Sequence, residues 1–308
     1  MNKLEQFVKM SDGKEVFMTT YEPQQEIKGH IHILHGMAEH SGRYADFASV
    51  LVDQGYFVST HDHRGHGKTA ENGGRQGYFE DENGFDRVVR DVFEVTELIR
   101  RDRALPQVIL FGHSMGSFIA RRYMQLFSST IKAAILCGTG TATPLHVVGN
   151  RVARLLAKSR GTTKPSEILN ELSFGSFNKS VIDAKTAYDW LSRDEKQVQT
   201  YMDDPHCGFV ATNQFYVDLT GGLLLINRKD EISRIRADLP VLLISGSRDP
   251  VGDFGKGVMT VGEQFVEAGM EKVVVHICED MRHEILNEQN KEYVYEVILR
   301  WLNDETEN

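Results

Sequence analysis

The chain has 308 residues, of which 41% are hydrophobic and 26% are charged, and its formal net charge is −9. This composition is typical of a globular protein large enough for a core domain with an insertion, and the acidic balance disfavours binding to nucleic acid. The first residues lack the apolar segment of a secretory signal, and no long uncharged apolar run follows. We therefore expect a cytoplasmic protein without a membrane-spanning helix, whose three widely spaced cysteines are reduced.

Short apolar runs alternate with longer amphipathic stretches along most of the chain. VFMTTYEP and the region before it predict antiparallel strands, and further strands are predicted at HIHILHG, YFVSTH, VILF, AAILC, VLLIS and VVVHIC. Helices are predicted at ADFASVLVDQG, FDRVVRDVFEVTELIRR, SFIARRYMQLF and EYVYEVILRWL. Strands that alternate with helices predict a mostly parallel sheet with helices on both faces. Ligands bind such sheets at the carboxyl ends of the strands.

The alternation stops between residues 143 and 238. Here PLHVVGNRVARLLAKSR, TAYDWLSRDEKQVQTYM and FYVDLTGGLLLINRK are typical of helices, with no strand predicted between them. We therefore predict an α/β core formed by residues 1–142 and 239–308, with residues 143–238 inserted as a helical cap. More than half of the apolar side chains of this cap are expected to form its own core. The others are expected to line an apolar tunnel suited to an acyl chain.

The pentapeptide Gly112-His113-Ser114-Met115-Gly116 matches the pattern G-x-S-x-G between a predicted strand and a predicted helix. That context defines a nucleophile elbow, in which glycines permit a tight turn that raises the serine above the sheet. We therefore predict Ser114 as a catalytic nucleophile. A serine hydroxyl needs a base to take its proton, so an acid and a histidine should follow later in the chain.

The partners of the serine are sought after later strands. Asp249 follows the strand VLLIS and His283 follows the strand VVVHIC, at the predicted start of a helix. Asp253 is an alternative acid that lies farther into the same loop, whereas His276 lies inside its strand and is expected to point into the fold. Asp249 and His283 are therefore predicted to complete a catalytic triad with the serine.

Acyl transfer also needs donors for the oxyanion that forms on the substrate. One predicted donor is the backbone N–H of Met115, directly after the serine. The other is the backbone N–H of Met37, because His35 and Gly36 end an early strand just before it.

Seven of the twelve histidines lie between His30 and His66, and imidazole is a common metal ligand. We expect His30 and His32 to point to opposite faces of one strand, so that they form no ligand pair. A zinc hydrolase that uses the H-x-H…H spacing is an alternative, but it would leave the serine, acid and histidine set without a use. We therefore predict an enzyme with no metal and no organic cofactor.

Four segments bring the chain close to a known family. HGMAEHSGRY, DHRGHGKT, GHSMGS and HEILNE resemble motifs of the α/β-hydrolase superfamily, and within it of the monoacylglycerol lipase and bacterial lysophospholipase group. WLSRD and DPHCGF in the predicted cap are most similar to the lysophospholipase branch. The similarity runs from about Val16 to Trp301, with Thr69 where this group usually has serine. It implies the α/β-hydrolase fold and serine-esterase chemistry.

The predicted function is hydrolysis of the carboxylic ester of a monoacyl lipid through an acyl-enzyme. The lipid would be a monoacylglycerol or a lysophospholipid, and the net negative charge tilts the choice towards the neutral monoacylglycerol. A broad-specificity carboxylesterase for small esters is the alternative, and a binding protein without activity would have lost part of the triad. The expected partner is a small lipid or ester, with at most transient contact with a membrane surface.

Overall fold

The computed structural model describes residues 1–306 and confirms the predicted α/β-hydrolase fold class. An eight-stranded sheet runs in the order β1-β2-β4-β3-β5-β6-β7-β8. Its first two pairings, β1 with β2 and β2 with β4, are antiparallel, and all the others are parallel. The strands are β1 Asn2–Lys9, β2 Glu15–Glu22, β3 Gly29–Leu34, β4 Tyr56–His61, β5 Val108–His113, β6 Ile131–Cys137, β7 Val241–Gly246 and β8 Val273–Cys278.

Helices cover both faces of the sheet. Those outside residues 143–238 are α1 Ala45–Asp53, α2 Gly67–Glu71, α3 Gly84–Arg103, α4 Met115–Phe127, α10 Lys256–Glu267 and α11 Lys291–Thr306. Phe47 of α1 and Trp301 of α11 belong to the apolar cluster on one face. Val92 of α3, Ile119 of α4 and Phe265 of α10 belong to the cluster on the other face. None of the described helices combines the length and the apolar composition needed to cross a membrane.

The part of the chain predicted as a cap is helical. It contains α5 Pro144–Arg160, α6 Glu167–Phe174, α7 Glu195–Asp203, α8 Asn213–Ile226 and α9 Lys229–Ile232. The long helix α8 packs against α3, α4 and α5, so part of this segment joins the helical layer of the core. The predicted second core segment, 239–308, extends two residues beyond those described.

One predicted helix in this segment is helical only in its second half, so the prediction was wrong for the residues before it. The stretch TAYDWLSRDEKQVQTYM becomes helical only at Glu195, because the side chain of Asp194 accepts a hydrogen bond from the backbone N–H of Lys196 and caps α7. The residues before it are turns, and the carbonyl groups of Trp190 and Leu191 accept hydrogen bonds from backbone N–H groups that follow β8.

The buried histidines form a hydrogen-bonded chain through the sheet. His30 Nε2 and His32 Nδ1 both bond to the hydroxyl of Ser59, at 2.6 and 2.7 Å. The expectation that these two histidines face opposite ways was wrong, since residues two apart on a strand lie on the same face. His32 Nε2 bonds to His61 Nδ1 at 2.9 Å, and His61 Nε2 bonds to His63 Nδ1 at 3.2 Å. These ring nitrogens bond to one another and to a hydroxyl, which gives the histidines a structural role.

These histidines should make the protein sensitive to mild acid. Burial lowers the pKa of His30, His61 and His66 to about 3, from an ordinary value of 6.5. As the pH falls from about 6.5 towards 3, the unfolded chain binds protons that the native protein does not, so the free energy of unfolding should fall. Each histidine contributes up to about 1.4 kcal/mol per pH unit in this window. His113, whose pKa is raised, acts in the opposite direction only above about pH 6.5, where the native protein binds its proton before the unfolded chain does.

Urea unfolding between about pH 7.5 and 5 measures this effect before most carboxylates titrate. The substitution His66→Phe removes one such group in a pocket already lined by Phe79, Phe209 and Phe215, and it should flatten the pH dependence. A free energy of unfolding that stays constant over this range would contradict the prediction.

Candidate active site

Ser114 lies on the turn between β5 and α4, at the carboxyl end of a central strand. Its φ of 52° is unusual for a residue other than glycine, and the two flanking glycines make the turn possible. A Cβ atom on Gly112 would lie 2.4 Å from the carbonyl oxygen of Gly116, and one on Gly116 would lie 2.2 Å from that of Leu34. The serine is therefore held in a strained conformation that leaves its side chain half-buried at a cavity.

Asp249 and His283, predicted from separate loops, are in direct contact. His283 Nδ1 donates to Asp249 Oδ1 at 2.9 Å. The carboxylate of Asp249 is fully buried and also accepts from the backbone N–H of Val251 and the hydroxyl of Ser245, both at 2.9 Å. A Cβ atom on Gly138 would lie only 3.0 Å from His283 Cε1, so glycine at the end of β6 leaves room for the ring. This arrangement fixes the imidazole and leaves Nε2 for proton transfer.

Asp253 and His276, which were set aside in favour of Asp249 and His283, lie away from the contact between those two residues. Asp253 is exposed on the loop after Asp249. The expectation that His276 points into the fold was wrong, because β8 is an edge strand and its side chains are only partly covered. His276 Nε2 bonds to the hydroxyl of Tyr293 on α11 at 3.0 Å.

The two predicted oxyanion donors flank the serine. Met115 is the first residue of α4, where a backbone N–H has no acceptor within its helix and the helix dipole favours negative charge. Met37 lines the same cavity as Ser114. The residue before it, Gly36, approaches the serine closely, since a Cβ atom there would lie 3.2 Å from Ser114 Cβ.

A buried group of charges beside Ser114 and His283 was not predicted from the sequence. The carboxylate of Glu39 accepts hydrogen bonds from the backbone N–H of Gly36, from the hydroxyl of Tyr44 at 2.8 Å and from Arg43 Nη1 at 2.7 Å. Arg43 also donates to both oxygens of Glu284, at 2.6 and 2.7 Å. Burial alone would raise the pKa of Glu39, but the guanidinium of Arg43 holds it well below its ordinary value.

His113, directly before the serine, extends this group to His283. Its Nδ1 lies 3.3 Å from Glu39 Oε1, and its Nε2 donates to the backbone carbonyl of His283 at 3.3 Å. Burial disfavours a charged imidazole, but Glu39 outweighs it and raises the pKa of His113. The motif HGMAEHSGRY contains Glu39 and Arg43. The sequence therefore identified this segment, but it did not indicate which groups these two charged side chains contact.

The cavity at the serine has a volume of about 160 Å³, below the roughly 300–1,000 Å³ of typical ligand sites. Its apolar and aromatic lining includes Met37, Phe174, Tyr188, Trp190, Leu191 and Phe209. A larger groove of about 710 Å³ lies between α3, α5 and α8 and contains none of the predicted site residues.

Several apolar residues of α5 contribute neither to this cavity nor to a core. Leu145, Val148 and Leu155 are 73%, 54% and 68% exposed. The expectation that the apolar side chains of the predicted cap form either its core or a tunnel is therefore wrong for these three. Phe174 and Phe209 do line the cavity, and Phe215 is buried in the core.

A possible metal-ligand set occurs at the edge of the site. His40, Asp204 and Cys207 offer ligand atoms that lie within 4.8 Å of one another. His40 Nε2 already bonds to Asp204 Oδ2 at 2.9 Å, and burial raises the pKa of the Cys207 thiol, so a metal would have to displace a proton from sulfur. This set is separate from the H-x-H…H histidines considered above.

The sheet order, the strained serine turn and the Asp249–His283 contact together define an α/β-hydrolase. The chain belongs to the family described as serine aminopeptidase, S33, whose model matches residues 25–290. It is 29% identical to the monoglyceride lipase of Homo sapiens over 79% of this chain and 72% of that protein. It is 25% identical to a monoacylglycerol lipase of Mycolicibacterium smegmatis over 94% and 93% of the two chains.

Similarity in structure covers the whole chain. A thermostable carboxyl esterase from Bacillus coagulans, solved in complex with glycerol, matches with a TM-score of 0.92 and 28% identity over 99% of each chain. The resemblance to the monoacylglycerol lipase group, inferred from four motifs, is confirmed.

Removing Arg43 should strongly destabilise the protein. The substitution Arg43→Ala removes the guanidinium that pairs with both buried carboxylates, Glu39 and Glu284, which should lower the free energy of unfolding by about 3–5 kcal/mol. Urea unfolding at neutral pH measures this. The control is Arg100→Ala, which breaks the half-exposed ion pair with Glu97 and should change stability far less. Equal losses of unfolding free energy in the two variants would contradict the prediction, because they would show that the burial of Glu39 and Glu284 adds nothing to the effect of losing Arg43.

Proposed function

We propose that Ser114, His283 and Asp249 are a catalytic triad that hydrolyses carboxylic esters. The observation that carries this proposal is the bond between His283 Nδ1 and a fully buried Asp249, beside a serine on a strained turn at the same cavity. Attack by a neutral serine needs a base whose tautomer is fixed, and this bond leaves His283 Nε2 unprotonated.

The reaction proceeds in two halves. Ser114 Oγ attacks the ester carbonyl carbon while His283 Nε2 takes its proton, and the backbone N–H groups of Met37 and Met115 donate to the resulting oxyanion. The intermediate then collapses, the alcohol leaves with the proton from His283, and the acyl group stays on the serine. Water attacks this acyl-enzyme through the same steps and releases the carboxylic acid.

The proposed substrate is a monoacyl lipid with a neutral head group, as in a monoacylglycerol. Aromatic and apolar side chains line the cavity, which suits an acyl chain, and two of the relatives are named monoglyceride or monoacylglycerol lipases. Glu171 also lines the cavity, and its carboxylate would repel a phosphate group.

A small-ester carboxylesterase is the second candidate, because the cavity has only about 160 Å³ and an esterase is among the structural relatives.

A long acyl chain requires the cavity to widen, and we propose that residues 143–238 act as a cap that moves. One side of this segment is tied to the loop of His283. Arg282 donates to the carbonyl oxygens of Asp189 and Ser192 at 2.6 and 2.9 Å, and Arg193 Nε pairs with the buried Glu288 at 2.9 Å. Movement is therefore expected on the opposite side, in α5 and α6.

Loss of the serine hydroxyl should abolish both labelling and turnover. The variant Ser114→Ala is expected to show no covalent labelling by a fluorophosphonate probe and no hydrolysis of a nitrophenyl ester, whereas the exposed Ser129→Ala should label normally. Asp249→Asn should lower kcat by about 10⁴, because the imidazole then adopts the wrong tautomer. Turnover or labelling retained in Ser114→Ala would reject the triad.

Chain length should separate the two candidate substrates. With nitrophenyl esters from C2 to C16, kcat/KM should rise up to about fourfold per methylene until the site is full, since each buried methylene is worth about 0.8 kcal/mol. Monoacylglycerol should be cleaved faster than lysophosphatidylcholine. A maximum at C2 to C4, with neither lipid cleaved, would identify a small-ester carboxylesterase.

A matched pair of variants on α6 tests where the chain binds. Phe174→Ala removes a cavity side chain, and it should lower kcat/KM for C12 esters more than for acetate. Leu172→Ala changes a residue on the same helix that is exposed to solvent, and it should affect both esters equally. Equal effects of Phe174→Ala on the two esters would place the acyl chain elsewhere.

A further inference from the structure

The imidazole of His283 is covered by a side chain from residues 143–238. The indole of Trp190 lies over it with ring centroids 5.2 Å apart and an interplanar angle of 34°, and Trp190 is itself buried. The backbone holds the two together. His283 N–H donates to the carbonyl of Trp190 at 3.4 Å, and Glu284 N–H donates to that of Leu191 at 2.7 Å. The indole is therefore fixed against the ring in this structure.

Neighbouring aromatic rings hold the indole from behind. Phe177 contacts it edge-on with centroids 4.9 Å apart, and Phe174 stacks on it at 6.0 Å. The backbone N–H of Trp190 donates to Asn178 Oδ1 at 2.9 Å. This packing holds the indole in place beside the imidazole of His283.

A second ring near His283 belongs to His113, with centroids 4.7 Å apart. His113 lies beside the carboxylate of Glu39, which would compensate a positive charge on the His113 ring. The buried carboxylate of Asp249 contacts His283 at Nδ1, in the direction of the N–H bond. The indole adds a π face, and a cation within about 6 Å of such a face is attracted to it, most strongly for tryptophan.

We propose that Trp190 stabilises the imidazolium that His283 becomes when it takes the proton of Ser114, and that it positions this ring for the transfer. The inference rests on the proposed triad. The proton moves from Ser114 Oγ to His283 Nε2 while the serine oxygen bonds to the acyl carbon, so positive charge develops on the ring against which Trp190 lies. The same contact stabilises the protonated ring in the free enzyme.

This dual action gives a quantitative signature in the pH profile of kcat/KM. Activity rises with pH as the general base loses its proton. In Trp190→Leu, plateau kcat/KM should fall by about 2- to 30-fold, the range expected for a cation–π contact of 0.5–2 kcal/mol. The midpoint of the acidic limb of this profile should move to lower pH, and the shift in pH units should equal the base-10 logarithm of the same factor. Trp190→Phe keeps an aromatic face and should lie between the wild type and the leucine variant.

The matched control is Phe177→Leu, which removes a ring from the same aromatic group without touching His283. It should leave the acidic limb in place, whatever its effect on rate. Thermal melts of all variants identify any that fail to fold, and Trp190→Phe keeps the test valid if Trp190→Leu does not fold.

A lower rate in Trp190→Leu with an unmoved limb, or with a limb moved to higher pH, would overturn the proposal and leave Trp190 a packing residue. Failure of the triad itself is distinguished by the wild-type protein. If the wild type is not labelled by fluorophosphonate at Ser114, the proposed function fails. If labelling and turnover are normal but the Trp190 variants keep the wild-type profile, only this inference fails.

Discussion

The guanidinium of Arg43 is the contact on which the geometry of the site depends. It lies between the buried carboxylates of Glu39 and Glu284, and its own side chain is only 10% exposed. Glu39 holds the turn that carries Met37, and Glu284 directly follows His283. One cation thus joins the segment that would bind the oxyanion to the loop that carries the proposed general base, His283. Desolvating these charges is costly, so the arrangement persists only because each carboxylate has a cation and further hydrogen-bond donors.

One part of residues 143–238 is tied closely to the loop of His283. Residues 189–193 bond to the loop of residues 282–288 through backbone and side-chain hydrogen bonds, and Trp190 lies against His283. A variant that lacked the whole segment would lose these supports, and small esters would also be hydrolysed poorly. A role in substrate entry is therefore best assigned to α5 and α6, where Leu145 and Leu155 are exposed and Phe174 closes the cavity.

The sequence predicted those features that local patterns determine. Apolar runs identified the central strands, and the glycines at 112 and 116 identified the serine turn, because backbone conformation there excludes side chains. Asp249 and His283 were found by chain order and by their place after strands. The partner of Arg43 was not predictable, since Glu284 lies 241 residues away and no periodic pattern relates them. The start of α7 was missed for a similar reason, because the residues before it form turns and also bond to the loop after β8, which is distant in sequence.

Different parts of the structure hold the proposed catalytic residues and limit the space available to the substrate. Asp249, His283 and Ser114 lie at strand ends, and His283 is further held by the contacts of Trp190 and by the space that Gly138 leaves for its ring. The volume available to an acyl chain is instead limited by side chains such as Phe174 and Phe209 that project from residues 143–238. Substitutions at the cavity wall should therefore alter which esters react while the triad stays assembled. Substitutions around Arg43 should impair every ester alike, because they disturb the donors and the base together.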